Sequence, residues 1–150
     1  MRRVVAFLLA GAVLASPINA QAHGRQSPKP IEVTYSEAQE LMQLAWCEGG
    51  NQGEWGMLLI MSTVINRVNS SDYPDTIHEV IYQEHQYATK GMKEATLCPE
   101  AHYALAMLEA GTVYPDIIAF EVKEDDSLQQ YFDVDFTYLN HTFYTKKGKK

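Results

Sequence analysis

The chain has 150 residues, nearly half of them apolar, and a formal net charge of −7. This length suffices for one compact domain with its own core and is too short for two. The acidic balance, with no basic stripe along the sequence, argues against nucleic-acid binding.

The N-terminal end has the three parts of a secretory signal peptide. Arg2 and Arg3 supply a positive start, and residues 4–15 form an apolar run that is too short to span a bilayer. Residues 16–22 then form an exit of small residues. We expect a signal peptide over residues 1–22, and the alternative interpretation is an uncleaved N-terminal membrane anchor.

Cleavage fits after Ala20 or after Ala22, and the second position is the better A-x-A match. Loss of Arg2 and Arg3 would take the formal charge from −7 to −9. We therefore expect a mature protein that is secreted, periplasmic or associated with the cell wall, without stable membrane insertion after cleavage.

The next segments divide the rest of the chain into a lead, a domain and a tail. Residues 23–33 mix Gly, Pro, Ser and basic side chains, which is typical of a flexible lead. The folded, catalytic domain is expected over residues 34–145, and residues 146–150 form a basic tail. Ser36 and Gln39 make a capping box that predicts the start of the first helix.

This first helix brings Glu48 to its C-terminal end, next to a glycine-rich stretch. Apolar neighbours and the partial negative charge of a helix C-terminus both favour an uncharged carboxyl group, as a catalytic acid requires. Gly49 and Gly50 equally fit ordinary C-cap glycines that end a helix. The local pattern leaves both interpretations open.

A second, strongly apolar helix is predicted from Glu54 onward, and its apolar residues cover more than half of its circumference. Asn66 and Arg67 interrupt this apolar set near the end. Hydrogen-bonded scaffolding is the favoured role for such polar groups, and direct ligand contact is the alternative. Thr76 with Glu79 predicts the start of a short third helix.

The polar and aromatic run over residues 82–87 offers what a sugar site needs. Amides such as Gln86 can bond hydroxyl groups, and rings such as Tyr82 and Tyr87 can stack on a sugar. Glu84 and His85 are also available as acid, base or metal ligands. They lack a recognisable ligand spacing, so we expect no metal and no cofactor.

The C-terminal part predicts one more helix and then β-structure. Pro99 opens that helix, residues 117–122 predict a strand, and residues 136–144 predict a second strand. His141 lies in an apolar-aromatic segment and is interpreted as a core residue. The predicted fold is therefore α+β, mainly helical, in a single domain with a small C-terminal β-hairpin or sheet.

Cys47 and Cys98 are the two cysteines of the chain. In an oxidising compartment such a pair can form a disulfide, although sequence does not show whether the two residues approach each other. A nucleophilic role for Cys47 is the competing idea, and no family-specific cysteine signature supports it.

Several short segments together resemble the cell wall hydrolase family of spore-cortex-lytic enzymes. Their order and spacing, rather than any one of them, carry this resemblance over residues 35–144. The segments are EGGNQ at 48–52, VINRV at 64–68, YPDTI at 73–77, VIYQ at 80–83, QYA at 86–88 and NHTFY at 140–144.

The resemblance implies a lysozyme-like fold and peptidoglycan glycan strands as the substrate. It implies cleavage of the β-1,4 bond between N-acetylmuramic acid and N-acetylglucosamine, by lytic transglycosylation, with Glu48 as both acid and base. The substrate-binding candidates are then Gln86, Tyr87, Tyr82, Asn66 and Gln52. We expect a monomer.

Two alternatives accompany this hypothesis. A muramidase-type hydrolase needs a second carboxylate, for which Glu54, Asp72, Asp75 and Glu84 are candidates. A glycan-binding protein without catalysis is the other alternative, because Cys47 and other neighbours of Glu48 depart from the family pattern.

Overall fold

The computed structural model describes residues 32–148. The expected signal peptide, most of the expected lead and the last two lysines lie outside the described residues. Four α-helices precede a three-stranded antiparallel sheet, which confirms the predicted fold class. They are α1 (Tyr35–Gly49), α2 (Gly53–Val68), α3 (Ile77–Ile81), α4 (Pro99–Glu109), β1 (Ala119–Val122), β2 (Phe132–Tyr138) and β3 (His141–Lys146), with 3-10 turns at Met92–Glu94 and Ser127–Gln130.

Helix α1 starts earlier than its sequence pattern predicted. Thr34 is the N-cap, since its hydroxyl accepts from the Glu37 amide at 3.4 Å and its own amide donates to the Glu37 carboxylate at 3.1 Å. The predicted capping box at Ser36 and Gln39 is wrong. In both pairs the second residue comes three positions after the first, and the Gln39 amide donates to the Tyr35 hydroxyl instead, at 2.8 Å.

Helix α2 is the centre of the helical core. Every residue from Gly56 to Arg67 is buried, and the helix packs against α1, α3 and α4. Ser62 and Thr63 satisfy their hydroxyls on α2 itself, through Leu58 O at 2.8 Å and Ile60 O at 2.7 Å. Small polar side chains therefore sit inside the core without unpaired donors.

The sheet has the strand order β1-β3-β2, with the buried strand β3 in the middle. The single strand predicted over residues 136–144 is wrong, because the chain reverses at Leu139 and Asn140 and Tyr138 pairs with His141. Leu139 adopts a φ of 47°, which is uncommon for a leucine. A turn made by such a residue leaves no sign in an apolar-aromatic run.

The end of α2 is tied to the segment that leads into β1. Asn66 Nδ2 donates to Tyr114 O and to Ile117 O, both at 2.8 Å, and Arg67 Nε donates to Ile118 O at 2.6 Å. These bonds fix the sheet to the helical core. Among residues 32–148 no helix has the length and apolarity needed to cross a membrane.

Strand β3 continues through Lys146, one residue beyond the expected end of the domain. Lys146 Nζ lies 2.6 Å from the Asp72 carboxylate and donates to Ser70 Oγ at 2.8 Å. The first residue of the predicted basic tail is therefore part of the sheet and is anchored to the turn after α2.

Candidate active site

A cleft of about 360 Å³ opens between the helices and the sheet. The C-terminal turn of α1, the end of α2, the loop after α3 and strand β1 each contribute to it. Its lining residues are Glu48, Arg67, His85, Gln86, Tyr87, Ala88 and Phe120. The structure thus brings together the predicted residues Glu48, Gln86 and Tyr87.

Glu48 is half-buried in the last turn of α1. Its Oε1 accepts a hydrogen bond from the Ala88 amide at 2.9 Å, across a separation of 40 residues. Of the residues lining this cleft, Glu48 is the one with a carboxylate. An amide donor on one oxygen fixes the direction in which the carboxyl group faces the cleft.

The glycines after Glu48 have a packing role. Gly50 is the C-cap of α1 with a right-handed φ of −58°, so the left-handed stop expected of a C-cap glycine is absent here. A Cβ on the buried Gly49 would collide with Ile60 Cδ1, and one on Gly50 would lie 2.7 Å from Trp46 O. Gly49 therefore lets α1 approach α2 closely beside the cleft, whereas Gly50 is packed against Trp46 of α1 itself. The positive φ falls at Gly53, at 67°.

Arg67 lines the cleft, although the sequence favoured a scaffold role for it and kept direct ligand contact as the alternative. Its side chain is 5% exposed, and its guanidinium lies over the rings of Tyr73 at 5.1 Å and Tyr87 at 4.9 Å. Its Nη1 is buried without a hydrogen-bond partner in the described part of the chain. The sequence signals for Arg67 were its place in an apolar helix and in the VINRV segment at 64–68.

Tyr87 presents its ring to the cleft and turns its hydroxyl away from it. The hydroxyl lies 3.3 Å from Thr63 Oγ1, and the ring centroid is 6.1 Å from that of Phe120. Burial raises the pKa of Tyr87, and this effect is partly offset by Arg67 and by the Thr63 hydrogen bond. The part of Tyr87 that faces the cleft is therefore its ring rather than its hydroxyl.

Gln86 and His85 form the exposed rim of the cleft. His85 has a φ of 61°, and its Nε2 lies 3.2 Å from Glu84 Oε1, with both side chains 87% exposed. Glu84 is not among the cleft-lining residues. The rim therefore supplies an amide and an imidazole, while the carboxylate of this pair points elsewhere.

Three other residues predicted to bind substrate, Gln52, Asn66 and Tyr82, do not line this cleft. Gln52 is 3% exposed and its Oε1 accepts from the Asn140 amide at 3.4 Å, so it joins the turn before α2 to the β2-β3 hairpin. Asn66 donates its side-chain amide hydrogens to two backbone carbonyls, which agrees with the favoured scaffold role. Tyr82 does not line the cleft, and its ring centroid lies 4.6 Å from that of His78 with the two ring planes tilted by 44°.

The candidate second acids do not join Glu48. Glu54, Asp72 and Asp75, like Glu84, are exposed and do not line the cleft. Asp72 is instead paired with Lys146. Within residues 32–148 no group of three or more His, Cys, Asp or Glu side chains is arranged to hold a metal ion.

Cys47 and Cys98 are free in the structure, so the candidate disulfide is not formed. Cys47 is exposed on α1, whereas Cys98 is the half-buried N-cap of α4. Desolvation, followed by the negative charge of Glu48, raises the pKa of the Cys47 thiol. This shift disfavours the thiolate and argues against a nucleophilic role.

His141 is a core residue, as predicted. Its ring lies 5.1 Å from that of Phe120, behind the cleft, and burial lowers its pKa. Its Nδ1 has no hydrogen-bond partner in the part of the chain that the structure describes.

The architecture is that of a lysozyme-like catalytic domain, with one carboxylate in a cleft between helices and a small sheet. Two solved structures share it. The catalytic domain of the Bacillus cereus SleB protein superposes with a TM-score of 0.65 at 18% identity, covering 81% of this chain and 99% of that one. The catalytic domain of the germination-specific lytic transglycosylase SleB from Bacillus anthracis gives 0.67 at 16% identity, covering 77% and 99%.

A match between the sequence and a family model assigns the family of this chain. The family model for Cell Wall Hydrolase matches residues 51–144, more than half of the chain, beginning just after Glu48. The chain therefore belongs to the cell wall hydrolase family, as its motifs predicted, and is an enzyme of that class. No curated protein matches it.

Proposed function

We propose that this enzyme cleaves the β-1,4 bond between N-acetylmuramic acid and N-acetylglucosamine in peptidoglycan, acting as a lytic transglycosylase. The observation that carries the proposal is the placement of Glu48, the one carboxylate among the cleft-lining residues, held by the Ala88 amide at 2.9 Å. A glycosidic oxygen needs a positioned proton donor in order to leave.

The shortage of carboxylates favours transglycosylation over hydrolysis. A retaining or inverting glycosidase places a second carboxylate about 5 to 9.5 Å from the first, to act as nucleophile or to activate water. None of the four candidates lines this cleft. An intramolecular attack by the muramic acid 6-hydroxyl removes the need for that group.

The proposed reaction uses Glu48 twice. Its carboxyl group first protonates the glycosidic oxygen, and the bond from that oxygen to C1 of muramic acid breaks. The 6-hydroxyl oxygen then bonds to C1, and its proton passes to the Glu48 carboxylate. The products are a 1,6-anhydromuramic end and a free N-acetylglucosamine hydroxyl, and no water is consumed.

The rim and walls of the cleft suit a glycan. Gln86 can exchange hydrogen bonds with sugar hydroxyls or with an N-acetyl group, and the Tyr87 ring offers an apolar face. A bound strand would exclude water from the half-exposed Glu48, and desolvation favours the uncharged acid. Tyr82 and Asn66 are omitted from this binding set.

The proposed location is outside the cytoplasm, where peptidoglycan lies. It is supported by the signal-peptide pattern of residues 1–22 and by the family, whose substrate is the cell wall. The lytic transglycosylase named in one of the two structural neighbours supports the proposed reaction type for this fold.

Digestion of purified sacculi by matched variants tests the proposal. Glu48→Gln should lower the release of soluble muropeptides by about 10²- to 10⁴-fold, because it removes the acid and keeps the side-chain shape. Glu84→Gln and Glu54→Gln, two exposed carboxylates near the same region, should stay close to wild type. A Glu48→Gln enzyme with wild-type activity and an unchanged circular dichroism spectrum would refute the role of Glu48.

A further inference from the structure

The hydrogen bond that orients Glu48 comes from a poorly supported stretch of backbone. Ala88 lies in a segment, residues 82–91, made of turns and irregular backbone rather than a helix or strand. Only short-range main-chain bonds hold it locally, such as Gln86 N to Gln83 O at 3.2 Å and Thr89 N to Tyr87 O at 3.0 Å. The position of the Ala88 amide must therefore be fixed by side chains.

Tyr87, the neighbour of Ala88 in the chain, is held by two residues of α2. Thr63 meets its hydroxyl at 3.3 Å, and the Arg67 guanidinium lies 4.9 Å from its ring centroid. Thr63 and Arg67 are four residues apart, so they lie one above the other on the same face of the helix. Thr63 contacts the Tyr87 hydroxyl, and the Arg67 guanidinium contacts the face of the Tyr87 ring.

The burial of the Arg67 side chain lowers the stability of the folded protein. It is almost fully buried, lacks an ion pair within residues 32–148, and leaves Nη1 without a hydrogen-bond partner there. Burying a cation that is incompletely bonded lowers stability. Its own Nε bond to Ile118 O at 2.6 Å and the Tyr73 ring at 5.1 Å lock the guanidinium beneath Tyr87. A rigid, planar cation at this place is what ring stacking requires.

We infer that Arg67 and Thr63 are positioning residues for Glu48, acting through Tyr87 and the amide of Ala88. The chain of contacts runs from α2 to the Tyr87 ring, along one peptide to Ala88, and across 2.9 Å to Glu48 Oε1. The inference rests on the proposed function, because it assigns these residues to the orientation of the acid rather than to glycan contact.

Steady-state kinetics on solubilised glycan strands separate this role from substrate binding. Arg67→Met should lower kcat by about 10- to 100-fold, because displacement of the acid by a fraction of an ångström costs that much, with KM changed by less than about 3-fold. Arg67→Lys keeps the charge but loses the planar face, and it should recover part of the kcat. Loss through KM alone would make Arg67 a substrate-binding residue and overturn the inference.

Thr63→Val is the second variant, in case the Arg67 variants do not fold. It is nearly isosteric and removes the hydroxyl under Tyr87, and a several-fold loss of kcat is expected. Ser62→Ala is the matched control, since it removes the neighbouring buried hydroxyl of α2, which bonds Leu58 O and the Tyr114 amide instead. An equal effect of the two variants on kcat per folded molecule would overturn the inference.

The Ala88 amide resonance gives a readout that does not depend on activity. In ¹⁵N-alanine-labelled protein it should shift in Glu48→Gln, which identifies the bond, and should shift the same way in Arg67→Met and Thr63→Val but not in Ser62→Ala. If wild-type enzyme released nothing from sacculi, the proposed function would fail while this spectrum still tested the positioning. An Ala88 amide resonance that stays unshifted in Arg67→Met and Thr63→Val would contradict the inference.

Discussion

Helix α2 and the loop over residues 82–88 both line the cleft, but they use polar side chains in opposite ways. On α2, Thr63, Asn66 and Arg67 are buried and their polar atoms bond or stack on other parts of the protein. On the loop, His85 and Gln86 are exposed at the rim. The difference teaches that the buried helix holds the chain around the site, whereas the loop keeps polar side chains exposed at the cleft, where the proposed function places the substrate.

The largest expected effect on stability comes from a change at Asn66, a buried residue of helix α2. Asn66→Ala should lower the free energy of unfolding by about 2–4 kcal/mol, because the buried carbonyl of Ile117 and the partly buried carbonyl of Tyr114 lose their donor. Urea denaturation measures the loss. The kcat per folded molecule should stay close to wild type at low temperature, since Asn66 does not line the cleft. A stable but inactive variant would restore Asn66 as a substrate-binding residue.

The loop should behave in the reverse manner. Gln86→Ala should leave the free energy of unfolding within about 0.5 kcal/mol, because the side chain is exposed. It should raise KM for glycan strands by about 3- to 10-fold, the worth of roughly one hydrogen bond. Gln83→Ala, three residues before Gln86 on the same loop but not lining the cleft, is the control. The comparison between helix and loop breaks if Gln86→Ala unfolds the protein or leaves KM unchanged.

The smallest expected effect concerns His141, a buried polar residue whose Nδ1 has no hydrogen-bond partner among residues 32–148. Burial lowers the pKa of His141, so the native state resists its protonation. The stability that comes from the neutral His141 ring is fully present above about pH 6.5, the ordinary histidine pKa. It is lost as the pH falls from there toward the lowered pKa that His141 has in the folded protein.

Urea unfolding at pH 7.5 and pH 5.5 checks this sign. His141→Gln should lose less stability on acidification than wild type, by up to about 1 kcal/mol, and His102→Gln, an exposed histidine on α4, should behave like wild type. An identical pH dependence of wild type and His141→Gln would show that the His141 ring is protonated as easily in the folded chain as in the unfolded one.

Much of the helical part could be predicted, because its signals are local. The periodicity from Glu54 gave α2, Pro99 marked the start of α4, and Thr76 capped α3. The start of α1 was misplaced because two overlapping capping patterns occur within six residues, and only packing chooses between them.

The site was predictable only in part, because it depends on contacts between distant segments. Glu48, Gln86 and Tyr87 carried motif signals and meet in the cleft. Arg67 lay within the VINRV segment at 64–68, but that segment did not show that its guanidinium reaches the cleft. Phe120 gave no motif signal, since it belongs to a strand whose neighbours are set by the sheet. Gln52 faces inward for a similar reason, because it packs against Gly56 and reaches the β2-β3 hairpin.

Digestion of sacculi in H₂¹⁸O tests the central claim most directly. If Glu48 serves as acid and then as base for an internal attack, mass spectrometry should find 1,6-anhydromuramic ends, lighter by one water than reducing ends and without ¹⁸O. The same products should be missing from the Glu48→Gln digest. Reducing-end muramic acid that carries ¹⁸O would contradict the account, because water would then be the nucleophile and a second carboxylate would have to reach the cleft.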